Sequence, residues 1–388
     1  MRQTIYAYPW DLVRMGVERS MQEIADAGIA AIDLAASYHP IDALSPRDGA
    51  DLFTSARGAV HFPARQERYG RIKPHVHSAE VAAAWPEAAR HAGKLGIDLN
   101  AWTITLYQPW IRDAYPDSAR VLPTGDRSGS GVCPANDDVR EFLVTMCDDF
   151  VDQFGVSLVR LENIVPIFDF DWLRPRILVT VPPLARTLLN LCFCGACTGK
   201  AAAKGIDVER LRTTVTDAIA AEIDEAGASA SADRATALAA DSELQAYAAD
   251  FVNASTELVA AIAAPIKGKA RISANLSASY TALLGAEKEN ALIAGFIDAC
   301  DQLALHPADP RNAAFAGMAA AASPPREISA LMPLTGAGPA GPGRFGSAEA
   351  RSKEVIEMGA TELSLYNLGL VRQRDIADFA AAIARDYP

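Results

Sequence analysis

The sequence predicts an α/β fold, a (β/α)8 TIM barrel with a helical insertion between strands 4 and 5. Short runs rich in Val, Ile, Leu and Tyr alternate with longer amphipathic or Ala-rich stretches along the 388 residues, which is the pattern of repeated βα units. Eight such units can be drawn, and eight is the number that closes this barrel. Because 50% of the residues are hydrophobic, the chain can bury one large core, and we expect a single domain over 1–388.

Each strand prediction rests on a short apolar run bounded by turn residues or by a helix pattern. A helix pattern follows the first strand in SMQEIADAG (20–28), and another precedes the fourth strand in DDVREFLVTMCDDFVDQFG (137–155). The predicted strands are 3–8, 31–37, 98–104, 157–162, 270–275, 302–306, 327–332 and 361–366.

The spacing between the fourth and fifth strands is unusually long. Residues 163–269 intervene, whereas a plain βα unit needs about 30. Ala-rich helical stretches occupy about 201–226 and 233–264 of this segment. We therefore expect a helical insertion over 165–269, and this insertion also carries a cluster of cysteines.

The charge balance limits the classes of partner. The chain has 36 Lys and Arg against 48 Asp and Glu, a net charge of −12, which argues against nucleic-acid binding. The sequence shows no apolar stretch of roughly 18 residues and no basic and apolar leader, so neither membrane insertion nor export is expected. The expected location is cytoplasmic with reduced thiols, the expected partner is a neutral or cationic small molecule or a sugar, and homo-oligomerisation is left open.

The parity of each strand sorts its residues between the two faces of the barrel wall. Alternate residues face opposite sides, and the outer side must be apolar to meet the helices. Ile32 and Leu34 therefore face outward and Asp33 faces inward. A barrel filled only for packing would carry Val, Ile and Leu inside, so a polar interior indicates a functional site. The residues predicted to face inward are Asp33, Ala35, Ser37, His39, Asn100, Trp102, Leu158, Arg160, Glu162, Arg271, Ser273, Asn275, Ala304, His306, Ser364 and Tyr366.

The carboxyl ends of the strands form the barrel mouth, where barrel enzymes place their chemistry. Glu162 ends the fourth strand and is the candidate acid or base. Deeper in the barrel, Asp33, Arg160 and Arg271 are expected to form an ion network; that network is either structural or, through Asp33, catalytic. Aromatic faces suit sugar rings, and the candidate substrate-binding residues are His39, Tyr38, Trp102, Arg160, Asn275, His306 and Tyr366.

Two histidines in KPHVH, His75 and His77, alternate as strand neighbours do. Together with His39 they are candidate metal ligands. The alternative is that they are loop histidines near the rim that bond to a substrate or to the backbone.

The stretch LCFCGACTGK holds Cys192, Cys194 and Cys197 in a CxCxxC pattern. Thiolates so closely spaced converge on one ion more readily than they meet disulfide geometry. The best fourth ligand is Cys133, because the loops after the third and fourth strands are neighbours at the barrel mouth. Four thiolates would hold one structural zinc per chain; a disulfide, simple packing and a nucleophilic cysteine are the alternatives.

This arrangement resembles a known enzyme family. The order VCPANDDVREF, a strand ending in Glu and then CFCGAC is similar to the zinc-containing β-galactosidases of glycoside hydrolase family 42 (GH42), over about residues 130–200. The resemblance implies that Glu162 is the general acid/base and that Cys133 and the CxCxxC cysteines bind a structural zinc. The family's Asn-Glu pair is absent, and its nucleophile, a Glu ending the seventh strand, is replaced by Met332 and Pro333.

The leading functional prediction is a carbohydrate-active hydrolase, a glycosidase acting on a small glycoside or oligosaccharide. Glycoside hydrolysis normally uses two carboxylates, and the second is Asp33, Asp126, Asp169 or Asp171. A metal-dependent sugar isomerase or epimerase of the xylose-isomerase-like barrel type is the alternative, suggested by ADAGIAAIDLAASYH (25–39). A non-catalytic sugar-binding barrel is the third possibility.

Overall fold

The chain folds as a closed barrel of eight parallel strands surrounded by helices, which confirms the predicted fold class. The computed structural model describes residues 1–47, 51–165, 180–224, 228–276, 280–306, 309–334, 337–338, 341–342 and 348–387. The barrel strands are β1 (Arg2–Ala7), β2 (Ala31–Tyr38), β3 (Asp98–Ile104), β4 (Leu158–Glu162), β5 (Arg271–Asn275), β6 (Gln302–Leu305), β7 (Glu327–Pro333) and β8 (Glu362–Tyr366). Each strand pairs with its neighbour along the chain, and β1 pairs with both β2 and β8, so the sheet has no free edge.

Sixteen α-helices lie in the described parts of the chain. They are α1 (Pro9–Met15), α2 (Val17–Asp26), α3 (Ala79–Ala82), α4 (Ala84–Leu95), α5 (Pro109–Ala114), α6 (Asp137–Phe154), α7 (Pro183–Leu189), α8 (Gly195–Ala202), α9 (Val208–Asp224), α10 (Ala228–Ala240), α11 (Ser242–Ile266), α12 (Thr281–Leu284), α13 (Ala286–Asp298), α14 (Asn312–Ala321), α15 (Ala348–Glu357) and α16 (Gln373–Asp386). Helices α7 to α11 fall between β4 and β5; the insertion limits 165–269 and the single-domain division stay predictions. None of the described helices combines the length and apolar character that a membrane span requires.

Short strands decorate the carboxyl ends of the barrel. Ala59–Val60 pairs antiparallel with the end of β2, and hairpins form between Ile41–Leu44 and Leu52–Ser55 and between Ala119–Val121 and Arg127–Val132. A further two-residue pair joins Ala337–Gly338 to Gly341–Pro342.

Helix α6 sets the position of β4. Its first turn is capped by the Asn136 side chain, which accepts a hydrogen bond from Val139 N at 3.1 Å. Its end is closed by Gly155, whose φ of 61° lies in the left-handed region that glycine adopts without steric cost. The chain then turns directly into β4.

The barrel interior is closed by a buried ion network centred on Arg160. Its guanidinium lies 2.8 Å from Glu362 and 3.2 Å from Asp33, and all three side chains are almost fully buried. The same guanidinium donates to Ser273, Gln302 and Ser329 at 3.0–3.2 Å, so one side chain from β4 ties together β2, β5, β6, β7 and β8.

The expectation that Arg271 joins this network is wrong. Arg271 is the first residue of β5, so although its parity is inward it lies at the open amino end of the barrel, where it is exposed and pairs with Glu327 at 2.7 Å. Glu362 takes its place in the network. The inward parity of Ser364 and Tyr366 on β8 already pointed to this residue.

A bulge changes the parity at the end of β2. The register with β3 shifts between Ala35 and Ser37, so simple alternation fails beyond this point. Tyr38 therefore joins the interior aromatic cluster, whereas alternation had assigned the inward positions to Ser37 and His39.

Candidate active site

Glu162 lies at the carboxyl end of β4, and the backbone around it is fixed by the end of β3. The carbonyl of Glu162 accepts hydrogen bonds from the backbone N–H of Thr105 at 2.9 Å and from the hydroxyl of Thr105 at 2.8 Å. The next residue, Asn163, has a φ of 55°, a left-handed conformation that asparagine tolerates better than most residues. The strand therefore ends directly after Glu162, and its carboxyl group is held at the barrel mouth.

The side chain of Glu162 is partly buried among aromatic rings. The indole N–H of Trp102 donates a hydrogen bond of 2.6 Å to its Oε2. Burial raises the pKa of Glu162 to about 7, although the hydrogen bond from Trp102 opposes this shift by favouring the charged form. A carboxyl group with this pKa holds a proton in a large fraction of molecules near neutral pH and can also release it, as an acid/base catalyst requires.

Three tyrosine hydroxyls meet beside this carboxyl group. Tyr8 OH lies 3.0 Å from Tyr38 OH and 2.9 Å from Tyr366 OH, and the last two are 3.3 Å apart. Trp102, with a ring centroid 4.7 Å from that of Tyr38, packs below them. We call Tyr8, Tyr38, Tyr366 and Trp102 the aromatic cup. Tyr8 was missed as a site residue, although it lies at inward parity at the end of the first predicted strand.

The other candidate binding residues occupy the same rim. His39 is buried, its ring centroid is 4.2 Å from that of Tyr38, and burial lowers its pKa to about 4, so its ring is neutral at physiological pH. The Oδ1 atom of Asn275 is buried and accepts no hydrogen bond within the described part of the chain. His306, which follows β6, is exposed. His39 and Asn275 thus offer neutral donors and acceptors at the rim, which suits an uncharged polyhydroxy ligand.

The two inward residues predicted from β2 and β4, Asp33 and Arg160, lie beneath the mouth. Asp33 Oδ2 accepts from Thr4 at 2.7 Å and Oδ1 accepts from Asn100 at 2.9 Å, so both oxygens are occupied. Asp126 lies exposed on a hairpin turn, and Asp169 and Asp171 lie outside the described residues.

Asp11, in α1 directly after β1, is an acid at the mouth that the sequence did not single out. Asp11 is buried, and its Oδ1 lies 3.4 Å from Arg14. Its negative charge contributes to raising the pKa of the Tyr8 and Tyr366 hydroxyls. Burial raises the pKa of Asp11 to about 7. Its position shortly after the end of the first strand could have identified Asp11 as a candidate, because barrel enzymes carry functional residues there.

Four cysteines form a buried cluster between the connections that leave β3 and β4. Cys133 follows the Arg127–Val132 hairpin strand, Cys192 and Cys194 precede α8, and Cys197 lies in its first turn. Their four sulfur atoms lie within 4.8 Å of one another, with Cys133 Sγ 3.5 Å from Cys197 Sγ, and none forms a disulfide.

This geometry fits a tetrahedral metal ion. Four thiolates at about 2.3 Å from one ion lie about 3.8 Å apart, within the range of the cluster. All four residues are buried, so the set is closed and leaves no position for a reacting water. The cluster can therefore hold a metal ion, and its chemistry is that of a structural site.

The cysteine cluster is coupled to Glu162 through the backbone. Val132, which precedes Cys133, donates to the carbonyl of Leu106 at 3.0 Å, and Leu106 N donates to the carbonyl of Asn163 at 3.2 Å. On the other side, Phe193 N donates to Val121 O at 2.7 Å. A metal ion in the cluster would cross-link the connections that follow β3 and β4. The carboxyl group of Glu162 lies between these connections.

Comparison with solved structures shows the same fold in glycoside hydrolases. A β-galactosidase from the psychrophilic Marinomonas ef1 is 12% identical with a TM-score of 0.57, covering 100% of this chain and 59% of that chain. An α-L-fucosidase isoenzyme 2 from Paenibacillus thiaminolyticus is 12% identical with a TM-score of 0.55, covering 99% and 49%. A GH42 β-galactosidase from G. stearothermophilus is 11% identical with a TM-score of 0.51, covering 98% and 56%.

The three solved structures share the fold of this chain at 11–12% sequence identity. No family model matches the sequence, and no curated protein matches it. The chain spans between 49% and 59% of the length of the three solved structures named above. The chain thus has the barrel of the glycoside hydrolases, GH42 β-galactosidases among them, together with a four-cysteine cluster.

Proposed function

We propose that the protein is a glycosidase that acts on a small glycoside or oligosaccharide, with Glu162 as its general acid/base. The observation that carries this proposal is a protonatable carboxyl group at the end of β4, held by the Trp102 indole beside a cup of aromatic rings. The fold shared with β-galactosidases and an α-L-fucosidase supports it.

Each part of the mouth has a task in this reaction. The protonated Glu162 donates its proton to the glycosidic oxygen as the bond between that oxygen and the anomeric carbon breaks. Water then forms the new bond to the anomeric carbon, and the Glu162 carboxylate accepts the proton that this water loses. The aromatic cup supplies a face on which a sugar ring stacks and hydroxyls that hydrogen-bond to it, with His39, Asn275 and His306 around the rim. Asp33, which the sequence predicts as a catalytic carboxylate, has both oxygens engaged by Thr4, Asn100 and Arg160, so we assign Asp33 and Arg160 a positioning role from below. Asp11, Asp169 and Asp171 are then the candidates for the second carboxylate.

The cysteine cluster supports this site structurally. We assign it zinc, because four thiolates in tetrahedral proximity are the typical ligand set of structural zinc. When bound, zinc supplies a cross-link between the connections after β3 and β4. Reduced thiols of this kind agree with a cytoplasmic location.

Replacing Glu162 with glutamine is expected to abolish most of the glycosidase activity. Glutamine keeps the shape of the side chain but cannot donate or accept the proton, and general acid/base catalysis contributes roughly 10²–10⁴-fold. The measurement is kcat/KM on methyl glycosides and disaccharides, whose leaving groups need a proton, with Asp126→Asn on the exposed hairpin as the matched control. Equal activity in Glu162→Gln and wild type would remove Glu162 from this role.

Replacing Trp102 with phenylalanine is expected to move the pH profile of activity upward. The indole N–H favours the ionised form of Glu162, so its loss leaves burial unopposed and raises the pKa of the carboxyl group further above 7. Activity that depends on protonated Glu162 then persists to higher pH, by about one unit, since a hydrogen bond to a charged group contributes about 1.5–3 kcal/mol. The pH dependence of kcat/KM and the carboxyl ¹³C NMR titration of Glu162 both report this shift. An unchanged or lowered pKa of Glu162 would show that the Trp102 indole does not favour the ionised carboxylate.

A further inference from the structure

Two histidines outside the proposed catalytic machinery lie side by side near the barrel mouth. Val60 forms a parallel bridge with Val76, through Val60 N to His75 O at 2.8 Å and His77 N to Val60 O at 3.0 Å. His61 and His77 directly follow the two bridged residues, and their side chains therefore project to the same side. Their ring centroids are 5.6 Å apart with the planes at 44°.

His61 is fully buried, yet both of its ring nitrogens lack a hydrogen-bond partner among the residues that the structure describes. A neutral imidazole has one donor and one acceptor, and burying both unpaired costs free energy. A buried polar group without a protein partner usually binds a water molecule or an ion, or takes part in catalysis. A neutral imidazole keeps one lone pair for coordination.

Aromatic rings surround the histidine pair. The ring of Phe53 lies 4.9 Å from that of His77, Trp10 stacks on Phe53 at 3.9 Å, and the Trp10 ring lies 5.1 Å from His61. The four-cysteine cluster is the one set of three or more His, Cys, Asp or Glu ligands close together in the described ranges, so no carboxylate completes the histidine pair. The pair thus offers two imidazole nitrogens, a donor set that favours transition metals over Mg²⁺ or Ca²⁺.

The spacing of the rings suits a shared ion. A metal at about 2.1 Å from a ring nitrogen lies about 3.2 Å from the ring centroid, so two rings with centroids 5.6 Å apart can share an ion at an N–metal–N angle of roughly 120° when each turns one nitrogen toward it. We propose that His61 and His77 bind one divalent transition-metal ion of the Ni²⁺, Cu²⁺ and Zn²⁺ class, each through one ring nitrogen, with the remaining positions open to water. This site is separate from the cysteine cluster and does not depend on the proposed glycosidase activity.

The test is metal binding by untagged protein that retains the metal in its cysteine cluster. Ni²⁺ is titrated by calorimetry, and bound nickel and zinc are counted by mass spectrometry after gel filtration. We expect one Ni²⁺ per chain in wild type with zinc unchanged, and at least tenfold weaker binding in His77→Ala. His77 is half-exposed, so this variant is expected to fold.

His306→Ala is the matched control, since His306 is an exposed histidine that follows β6, and this variant should bind Ni²⁺ as wild type does. A second readout is the Co²⁺-loaded protein, which should show two paramagnetically shifted imidazole N–H signals in wild type and one or none in His77→Ala. Absence of bound Ni²⁺ in wild type, or equal affinity in His77→Ala, would overturn the proposal.

Discussion

Replacing Arg160 with methionine is expected to lower the free energy of unfolding by about 3–5 kcal/mol, because it leaves the buried carboxylates of Asp33 and Glu362 without their shared cation. Glu362 keeps a second partner in Arg2 at 3.1 Å, but Asp33 has only neutral donors left. Five strands also lose the side chain that joins them. Urea denaturation followed by circular dichroism measures the change.

The pH dependence of this variant has a definite sign. Without the guanidinium, burial holds the folded-state pKa of Asp33 above its unfolded value, so the protein is relatively stable below the unfolded pKa and loses stability as pH rises. The loss in the free energy of unfolding caused by Arg160→Met should therefore be smaller near pH 4 than at pH 7. Arg385→Met on the exposed face of α16 is the control and should leave the free energy of unfolding essentially unchanged. A cost below 1 kcal/mol for Arg160→Met would show that the network does not close the barrel.

Replacing Cys197 with serine is expected to release the bound metal and to destabilise the protein strongly. A hydroxyl is a far weaker zinc ligand than a thiolate, and structural zinc contributes its binding free energy to folding. We expect about one zinc per wild-type chain and much less than that in the variant, with a thermal midpoint lower by ten degrees or more for a loss of several kcal/mol. Elemental analysis and calorimetry measure both quantities.

Cys300→Ser is the matched control for this experiment. Cys300 is buried like Cys197 but bonds to the carbonyl of Phe296, away from the cluster. It should lose some stability through its buried hydroxyl and keep its zinc. Wild-type protein without metal, or Cys197→Ser with a full complement, would exclude the metal site.

Much of the fold follows from periodicity alone. Each predicted strand overlaps its observed counterpart, because parallel barrel strands are short apolar runs with clear boundaries. Parity also placed Asp33 and Arg160 in one interior network. The approach of Cys133 to the CxCxxC residues followed from a topological rule, since connections after neighbouring parallel strands leave from the same end of the sheet.

The failures have local causes. The bulge in β2 cannot be predicted from residue types. It shifts the register after Ala35, and Tyr38 therefore faces the interior although simple alternation predicts that it faces outward. Arg271 has the right parity but lies where the barrel opens to water. His61 directly follows Ala59–Val60, a two-residue strand too short for any pattern, and His77 comes beside it through a single bridge between Val60 and Val76.

The central claim is that Glu162 supplies the proton to the leaving group, and the leaving-group dependence of Glu162→Gln tests it most directly. Dinitrophenyl glycosides have leaving groups acidic enough to depart without protonation, whereas methyl or disaccharide glycosides do not. The proposed mechanism predicts that the variant keeps much of its kcat/KM on the dinitrophenyl glycoside, because kcat/KM reports the step in which the leaving group departs, and loses roughly 10²–10⁴-fold in kcat/KM on the poor leaving groups. Equal losses on both classes, or no loss on either, would contradict it.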